Sequence, residues 1–228
     1  MEGQAPPPPP TASAAPTIPW EDPAALGGFE RFVETIKVLA TNPKAAFEGM
    51  PRSAGIGRPL LYAVIVGSLG WAIGIVWNLL FQGMWMPFMG AGDMESAGAM
   101  FGFSLATSLG MMVLAPLFIV IGVFIGAAIF HLMLMLVGGA NEGFEATVRV
   151  VCYSSTAQLA NIIPMCGGLV ALIWAIVLYV IGLSTAHRTT QGKAILAILL
   201  PIILCCVIGV FMVLAGGMLA GLAASTAQ

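Results

Sequence analysis

The apolar positions fall into long unbroken runs, and polar positions punctuate them instead of alternating with them. From 59 to 80 the chain carries no charged residue. A Lys, Arg or Asp at the centre of a membrane helix costs roughly 2.5–3.5 kcal/mol, so a charge-free run of this length is expected to insert. A second run extends from 101 to 137. As one helix it would reach about 55 Å, against a hydrocarbon core of about 30 Å. No turn of adequate length breaks it, so a single long helix is expected, crossing at 113–137, with Pro116 as the candidate bend. Further segments follow at 147–163, 168–186 and 194–214. The first of these is the least apolar and carries Ser154, Ser155, Thr156, Gln158 and Asn161. The pattern predicts an all-α polytopic transmembrane bundle of about five spans.

Upstream the pattern changes twice. Residues 1–28 form a Pro/Ala-rich tail whose proline run at 6–10 favours an extended spacer. Its apolar content is too low to fold alone. Within it, Pro19-Trp20-Glu21-Asp22 stands out, and we read Trp20 as an aromatic resting at the membrane interface in preference to a docking motif. Residues 29–58 read as juxtamembrane amphipathic helices. Phe29, Phe32, Val33, Ile36 and Leu39 or Ala40 share a face. Asn42 and Pro43 make an N-cap and first-turn pair for a second short helix, with Ala46, Phe47 and Met50 on its apolar side. This region fits either the headgroup plane or the underside of the bundle. The transmembrane domain then takes residues 59–222, and 223–228 form a short tail.

Composition supports this picture. Of 228 residues, 59% are hydrophobic and 8% charged, where a soluble domain carries roughly 25% charged. The net charge of −2 gives no sign of nucleic-acid binding. The N-terminus has no basic and apolar leader pattern, so targeting is expected from the first span. The eight basic residues decide topology. Arg31, Lys37, Lys44, Arg52 and Arg58 precede the first span, Arg149 opens the third, and Arg188 and Lys193 lie between the last two. With five spans all eight share one side, and the positive-inside rule gives a cytoplasmic N-terminus and an outside C-terminus. Without a crossing at 147–163, Arg188 and Lys193 would be exported.

Candidate chemistry is sparse. No hydrolase, phosphate-binding or zinc motif is present, so catalytic, cofactor-binding and metal residues are all expected to be absent. Cys152, Cys166, Cys205 and Cys206 show no metal spacing and read as reduced, buried thiols. Met84, Met86, Met89, Met94 and Met100 read as interfacial apolar contacts and not as a copper site. The densest polar cluster is Asn141, Glu142, Glu145, Arg149 and Tyr153. Glu145 and Arg149 are four apart in the favoured order, which suits a structural ion pair or the mouth of a headgroup or solute site. Ser154, Gln158 and Asn161 form a stripe suited to interhelical hydrogen bonds or to a polar lining. His131 is an ionisable group inside a span, hence a hydrogen-bond partner or a proton handler. Gly70 and Gly74, Gly122 and Gly126, and Gly217 and Gly221 are small-residue pairs that permit close helix approach.

A resemblance joins these features. His131, Gly138-Gly139, Phe144, Thr147-Val148-Arg149-Val150-Val151, Tyr153-Ser154, Ile163-Pro164, Gly182-Leu183, His187, Lys193-Ala194 and Pro201 follow one another in an order that resembles the Yip domain, the family of Ypt- or Rab-interacting membrane proteins. Upstream, Pro19-Trp20-Glu21, Asn42-Pro43 with Phe47, and Pro59-Leu60 resemble its prokaryotic members. The similarity covers residues 19–210. It implies a five-span bundle with a cytosolic N-terminus, here in a bacterial inner membrane. Eukaryotic relatives act in vesicle trafficking and bind Rab-type GTPases, but their Asp-Leu-Tyr-Gly-Pro type segment is missing, so Rab binding is not implied.

Two functions are therefore expected to compete. One is a non-enzymatic protein that organises membrane, in contact with the bilayer, with itself or other membrane proteins, and with a cytosolic partner through residues 1–50. The other is a small transporter, channel or lipid-handling protein built on the polar third span. A cavity reaching Gln158 and Asn161 favours the second.

Overall fold

In a computed structural model, the structure describes residues 18–22, 27–85 and 94–226, without the side chains of 94–97 and 214–226. Among the described residues everything regular is helical. The helices are α1 (Gly28–Thr41), α2 (Pro43–Glu48), α3 (Gly57–Trp85), α4 (Met94–Leu136), α5 (Phe144–Ser154), α6 (Gly167–Ala186) and α7 (Gln191–Thr226). A 3-10 turn at Pro19–Glu21 precedes them, and a 3-10 helix at Ser155–Ile162 continues α5. Among the described residues four helices, α3, α4, α6 and α7, are long and apolar enough to cross a membrane.

The two short helices α1 and α2 follow the pattern of their residues, with two differences. Asn42 caps α2 through its side-chain oxygen, which accepts from Ala45 N–H at 3.3 Å, and Pro43 stands in the first turn. Ala46, Phe47 and Met50 are buried. In α1, however, Phe29 is 80% exposed, while Leu39 and the polar Thr35 are fully buried. The buried face of α1 is rotated toward Thr35, because that hydroxyl has a partner to satisfy. These short helices pack under the bundle, where Phe47, Leu39 and Met50 join Tyr62, Leu134, Leu178 and Leu183 in one core.

The run beginning at 101 is one uninterrupted helix, with Pro116 inside it. Segment 147–163 is not a continuous α-helix. Ser155 Oγ donates to Cys152 O at 2.6 Å and Thr156 Oγ1 to Tyr153 O at 2.8 Å. Hydroxyls that bond back to carbonyls one turn earlier compete with the α pattern, and Pro164 downstream favours extended backbone before it. The result is a 3-10 helix of eight residues, longer than the usual three or four.

Side-chain contacts fix the order of packing. Tyr62 of α3 meets Thr156, and Gly70 of α3 lies against Gln158, so α5 and its 3-10 extension run alongside α3 in the same direction. Thr147 bonds His187 at the end of α6, and Asn161 touches Gly167 at its start, so the segment runs antiparallel to α6 over the whole helix. α5 is buried from Ala146 to Ser154. α4 and α7 instead present exposed apolar side chains such as Val113, Leu117, Val207 and Phe211. Buried polar segment inside and apolar helices outside is the arrangement a bilayer imposes.

Cysteines divide along the same lines. Cys152 is buried, but Cys166, Cys205 and Cys206 are exposed on the outer faces, which corrects the expectation that all four are interior. Met84 and Met100 are exposed. Met86 and Met89, and the side chain of Met94, lie outside the described residues, as do the Cβ surroundings of Gly217 and Gly221.

Candidate functional site

Three polar groupings emerge, and the residues singled out in the sequence are shared among them. The first is built on Arg149, whose side chain is fully buried. A guanidinium cannot shed its charge, so burial demands an anion and good hydrogen bonds. Glu145, four residues earlier, is 4.0 Å away. The close partner is Glu21: Arg149 Nη2 donates to both carboxylate oxygens at 2.5 Å, and Nη1 donates to Gly55 O at 2.5 Å. Tyr153 O–H donates to the same carboxylate. Glu145 instead accepts from Gly55 N–H at 2.7 Å and so braces the loop that bonds Arg149.

Glu21 is delivered by the turn around Trp20. Trp20 N–H donates to Thr35 Oγ1 at 2.8 Å and its indole N–H to Arg58 O at 2.8 Å. Arg58 returns a bond to Glu21 O at 2.5 Å. The indole ring packs 6.1 Å from Phe32 and 6.0 Å from Tyr62, which in turn lies 5.3 Å from Tyr153. Trp20 is therefore not a lipid-facing anchor. The Pro19–Glu21 turn is a strap docked into the end of its own bundle, which corrects the interfacial reading of this segment.

The second grouping surrounds His187. Glu142 N–H donates to His187 Nδ1 at 3.2 Å, so that nitrogen carries no proton. His187 Nε2–H then donates to Thr147 Oγ1 at 2.8 Å, which leaves the Thr147 hydroxyl to donate to His131 Nδ1 at 2.9 Å. This tautomer assignment follows from the backbone donor. Thr147 is the hinge of the chain of bonds; in the sequence it stood out only as the first residue of the Thr147–Val151 run of the family resemblance. Glu142 also lies 3.7 Å from Arg52 and 3.5 Å from Arg188, and Asn141 Nδ2 donates to Arg188 O at 3.5 Å.

Burial pushes His187 down to about 4; His131 and Arg52 act in the same direction and Glu142 against it. The folded state therefore declines a proton that the unfolded chain accepts between pH ~6.5 and ~4. Stability is expected to be fully present above that window and to fall as pH drops through it. Thermal unfolding of the purified protein across pH 4–7 checks this, and His187→Gln should flatten the slope.

The third grouping lines a cleft of about 560 Å³ between α3, α4, α6 and the 3-10 helix. Ser154, Ser155, Gln158 and Asn161 supply its polar wall, with Asn78 and Ser108 opposite. Asn161 Nδ2 donates to Gln158 Oε1 at 3.1 Å, while Ser154 Oγ is buried without a partner. Gly74 and Gly122 border the cleft, and a Cβ on either would enter open space. Gly126 also has open space, whereas Gly70 is pressed against the backbone of Gln158. Of these four glycines, Gly70 is the one that makes a close approach. Among the described residues no group of His, Cys, Asp and Glu has the arrangement of a metal site.

The expected site thus separates. Glu145, Arg149 and Tyr153 lie together; Asn141, Glu142 and His131 gather around His187; Ser154, Gln158 and Asn161 face the cleft. A sequence model of the Yip1 domain matches residues 36–213. The chain belongs to the Yip1 domain family. No curated protein and no solved structure matches it significantly. With its four long apolar helices, this Yip1 domain protein is an integral membrane protein in contact with the lipid bilayer. The match begins at 36, so the strap at 19–21, which supplies the buried counter-charge, lies outside the matched residues.

Proposed function

We propose that this Yip1 domain protein is a non-enzymatic, lipid-handling membrane protein of five crossings. Its polar 3-10 helix holds an amphiphile in the cleft beside α3. The observation that carries this reading is the cleft itself, which reaches both Gln158 and Asn161. Its lining sets apolar residues, including Trp71 and Ile119, beside a wall of amide and hydroxyl side chains, a mixture that suits an amphiphile with a polar end. On the far side of Ser154 the bundle is filled by Tyr62, Tyr153, Trp20 and the Arg149–Glu21 pair. A side pocket for one molecule therefore suits the geometry better than a continuous aqueous path.

Five crossings are supported by length. α5 and the 3-10 helix together extend about 32 Å, from 11 and 8 residues, close to the bilayer core. They also accompany α6 from end to end. An odd count keeps the basic residues on one side, and contacts gather Arg52, Arg58, Arg149, Arg188 and Lys193 at one end of the bundle. By the positive-inside rule that end is cytoplasmic, with the C-terminus outside. A bacterial inner membrane fits this reading.

Filling the cleft tests the proposal. Gly74→Leu with Gly122→Leu places bulk where there is open space. Binding or transbilayer movement of a fluorescent phospholipid in proteoliposomes is expected to fall roughly tenfold, the equivalent of about 1.4 kcal/mol, with unfolding temperature preserved. Unchanged lipid handling would sink the idea, as would the same result for Gln158→Leu with Asn161→Leu.

A second reading is membrane organisation through self-association. α4 has 43 residues and α7 has 36, about 65 and 54 Å, more than one bilayer crossing covers. Their exposed apolar flanks suit a second copy or another membrane protein. Since residues 18–22 and the helices within 27–50 pack against the bundle, a cytosolic partner is better sought with a deletion of 1–17 than of 1–50.

A further inference from the structure

A second cleft, of about 490 Å³, opens between α2, the α6–α7 turn and the start of α7. Lys44, Arg52 and Arg188 line it, with the hydroxyls of Ser184, Thr185 and Thr189. Two carboxylates temper this charge. Glu48 lies 3.7 Å from Lys44, and Glu142 lies 3.7 Å from Arg52 and 3.5 Å from Arg188. One cation is in excess, and the Lys44 and Arg188 side chains remain 72% and 68% exposed. Gln191, which opens α7, also borders the cleft. The free N–H groups and dipole of a helix start favour an anion there.

Arg188 adds an independent indication. It follows α6 with φ of 49°, in the left-handed region. Its N–H bonds Thr185 O at 3.2 Å, and Thr189 N–H bonds Ser184 O at 2.9 Å. Helices that end this way usually carry glycine at this position, because an L side chain is strained there. An arginine whose backbone adopts a conformation that favours glycine, on the rim of a basic cleft, agrees with a use for its side chain there.

We propose that this cleft binds the phosphate of an anionic phospholipid headgroup, held by Lys44 and Arg188 with the Thr185 and Thr189 hydroxyls and the α7 start. Lipid is favoured over a free anion because Ile181, within the apolar helix Gly167–Ala186, forms part of the wall. An acyl chain leaves the cleft along that helix. Basic pockets between helices at this level of a membrane are suited to such headgroups. The inference is independent of the lipid-handling cleft beside α3.

The test uses purified full-length protein in neutral detergent, titrated separately with phosphatidylglycerol, phosphatidylcholine and inorganic phosphate. Retention is read by native mass spectrometry and stability by thermal unfolding. Phosphatidylglycerol is expected to be retained and to raise the unfolding temperature, and phosphatidylcholine to do neither. Arg188→Gly should weaken phosphatidylglycerol retention about fivefold, the worth of one cation at a charged membrane surface. The same variant without lipid should unfold at a higher temperature than wild type, because glycine relaxes the turn. Lys44→Gln should weaken retention similarly without that gain. Equal retention by wild type and both variants would overturn the proposal. Inorganic phosphate raising the unfolding temperature as much as the lipid would also overturn it, in favour of a free anion.

Discussion

Glu21→Ala is expected to destabilise the folded bundle by about 3–5 kcal/mol, the cost of leaving a buried cation without its partner. Arg149 has no exposed surface and Glu21 only 10%, so water cannot replace the lost carboxylate. The same change strands the Tyr153 hydroxyl and loosens the strap that carries Trp20. Glu145→Ala should cost much less, about 1 kcal/mol, although Glu145 is the acid at helical spacing. Its carboxylate is one-third exposed and 4.0 Å from the guanidinium. Unfolding by a denaturing detergent, followed for both variants, separates the two. Equal losses would mean that Glu145 is the true counter-charge. Combining Glu21→Ala with Arg149→Leu should recover much of the stability, because the uncompensated charge is then gone.

That contrast shows where sequence reasoning works and where it stops. Spans at 59–80, 168–186 and 194–214 were legible because each is a charge-free apolar run, a property of consecutive residues. The Asn42–Pro43 start was legible for the same reason, since a cap satisfies donors within one turn. Arg149 could be recognised as important, since a charge amid Val148, Val150 and Val151 needs an explanation. Its partner could not be found, because Glu21 lies 128 residues away and Glu145 offered a local alternative. Helical spacing brings side chains within reach without deciding which pair forms. The strap had one signal, an aromatic next to an acid in a proline-rich tail. Membrane-interface aromatics give the same signal, so composition could not separate anchoring in lipid from docking in the protein.

The polar third segment was only half legible. Its hydroxyls and amides marked it as interior; Ser154 and Thr156 are buried, whereas Gln158 is exposed and Asn161 half-buried at the cleft. The switch to 3-10 geometry at Ser155 depends on back-bonding by Ser155 and Thr156, which the same residues do not always make. The glycine pairs were the least informative. A small residue leaves room, and only the neighbouring helix decides whether backbone or empty space fills it.

Gly70 and Gly74 therefore offer a sharp test within one turn of α3. A Cβ on Gly70 would stand 2.7 Å from Gln158 Cβ and 3.0 Å from Gln158 O. Backbone cannot swing aside, so Gly70→Ala should destabilise by about 1–3 kcal/mol. Gly74→Ala meets nothing within 4 Å and removes a flexible residue from a helix, so it should be neutral or stabilising by up to about 1 kcal/mol. Gly167→Ala should resemble Gly70→Ala, since its Cβ would stand 2.7 Å from Ala160 O and 2.9 Å from Asn161 Cα. Unfolding midpoints of the three variants decide the matter. If Gly70→Ala and Gly167→Ala prove as mild as Gly74→Ala, the 3-10 helix is not clasped between α3 and α6. If they are costly, the segment is held by backbone contact on two sides while its polar side chains stay directed to the cleft. That combination of a fixed backbone and an open polar face is what a binding wall inside a membrane requires.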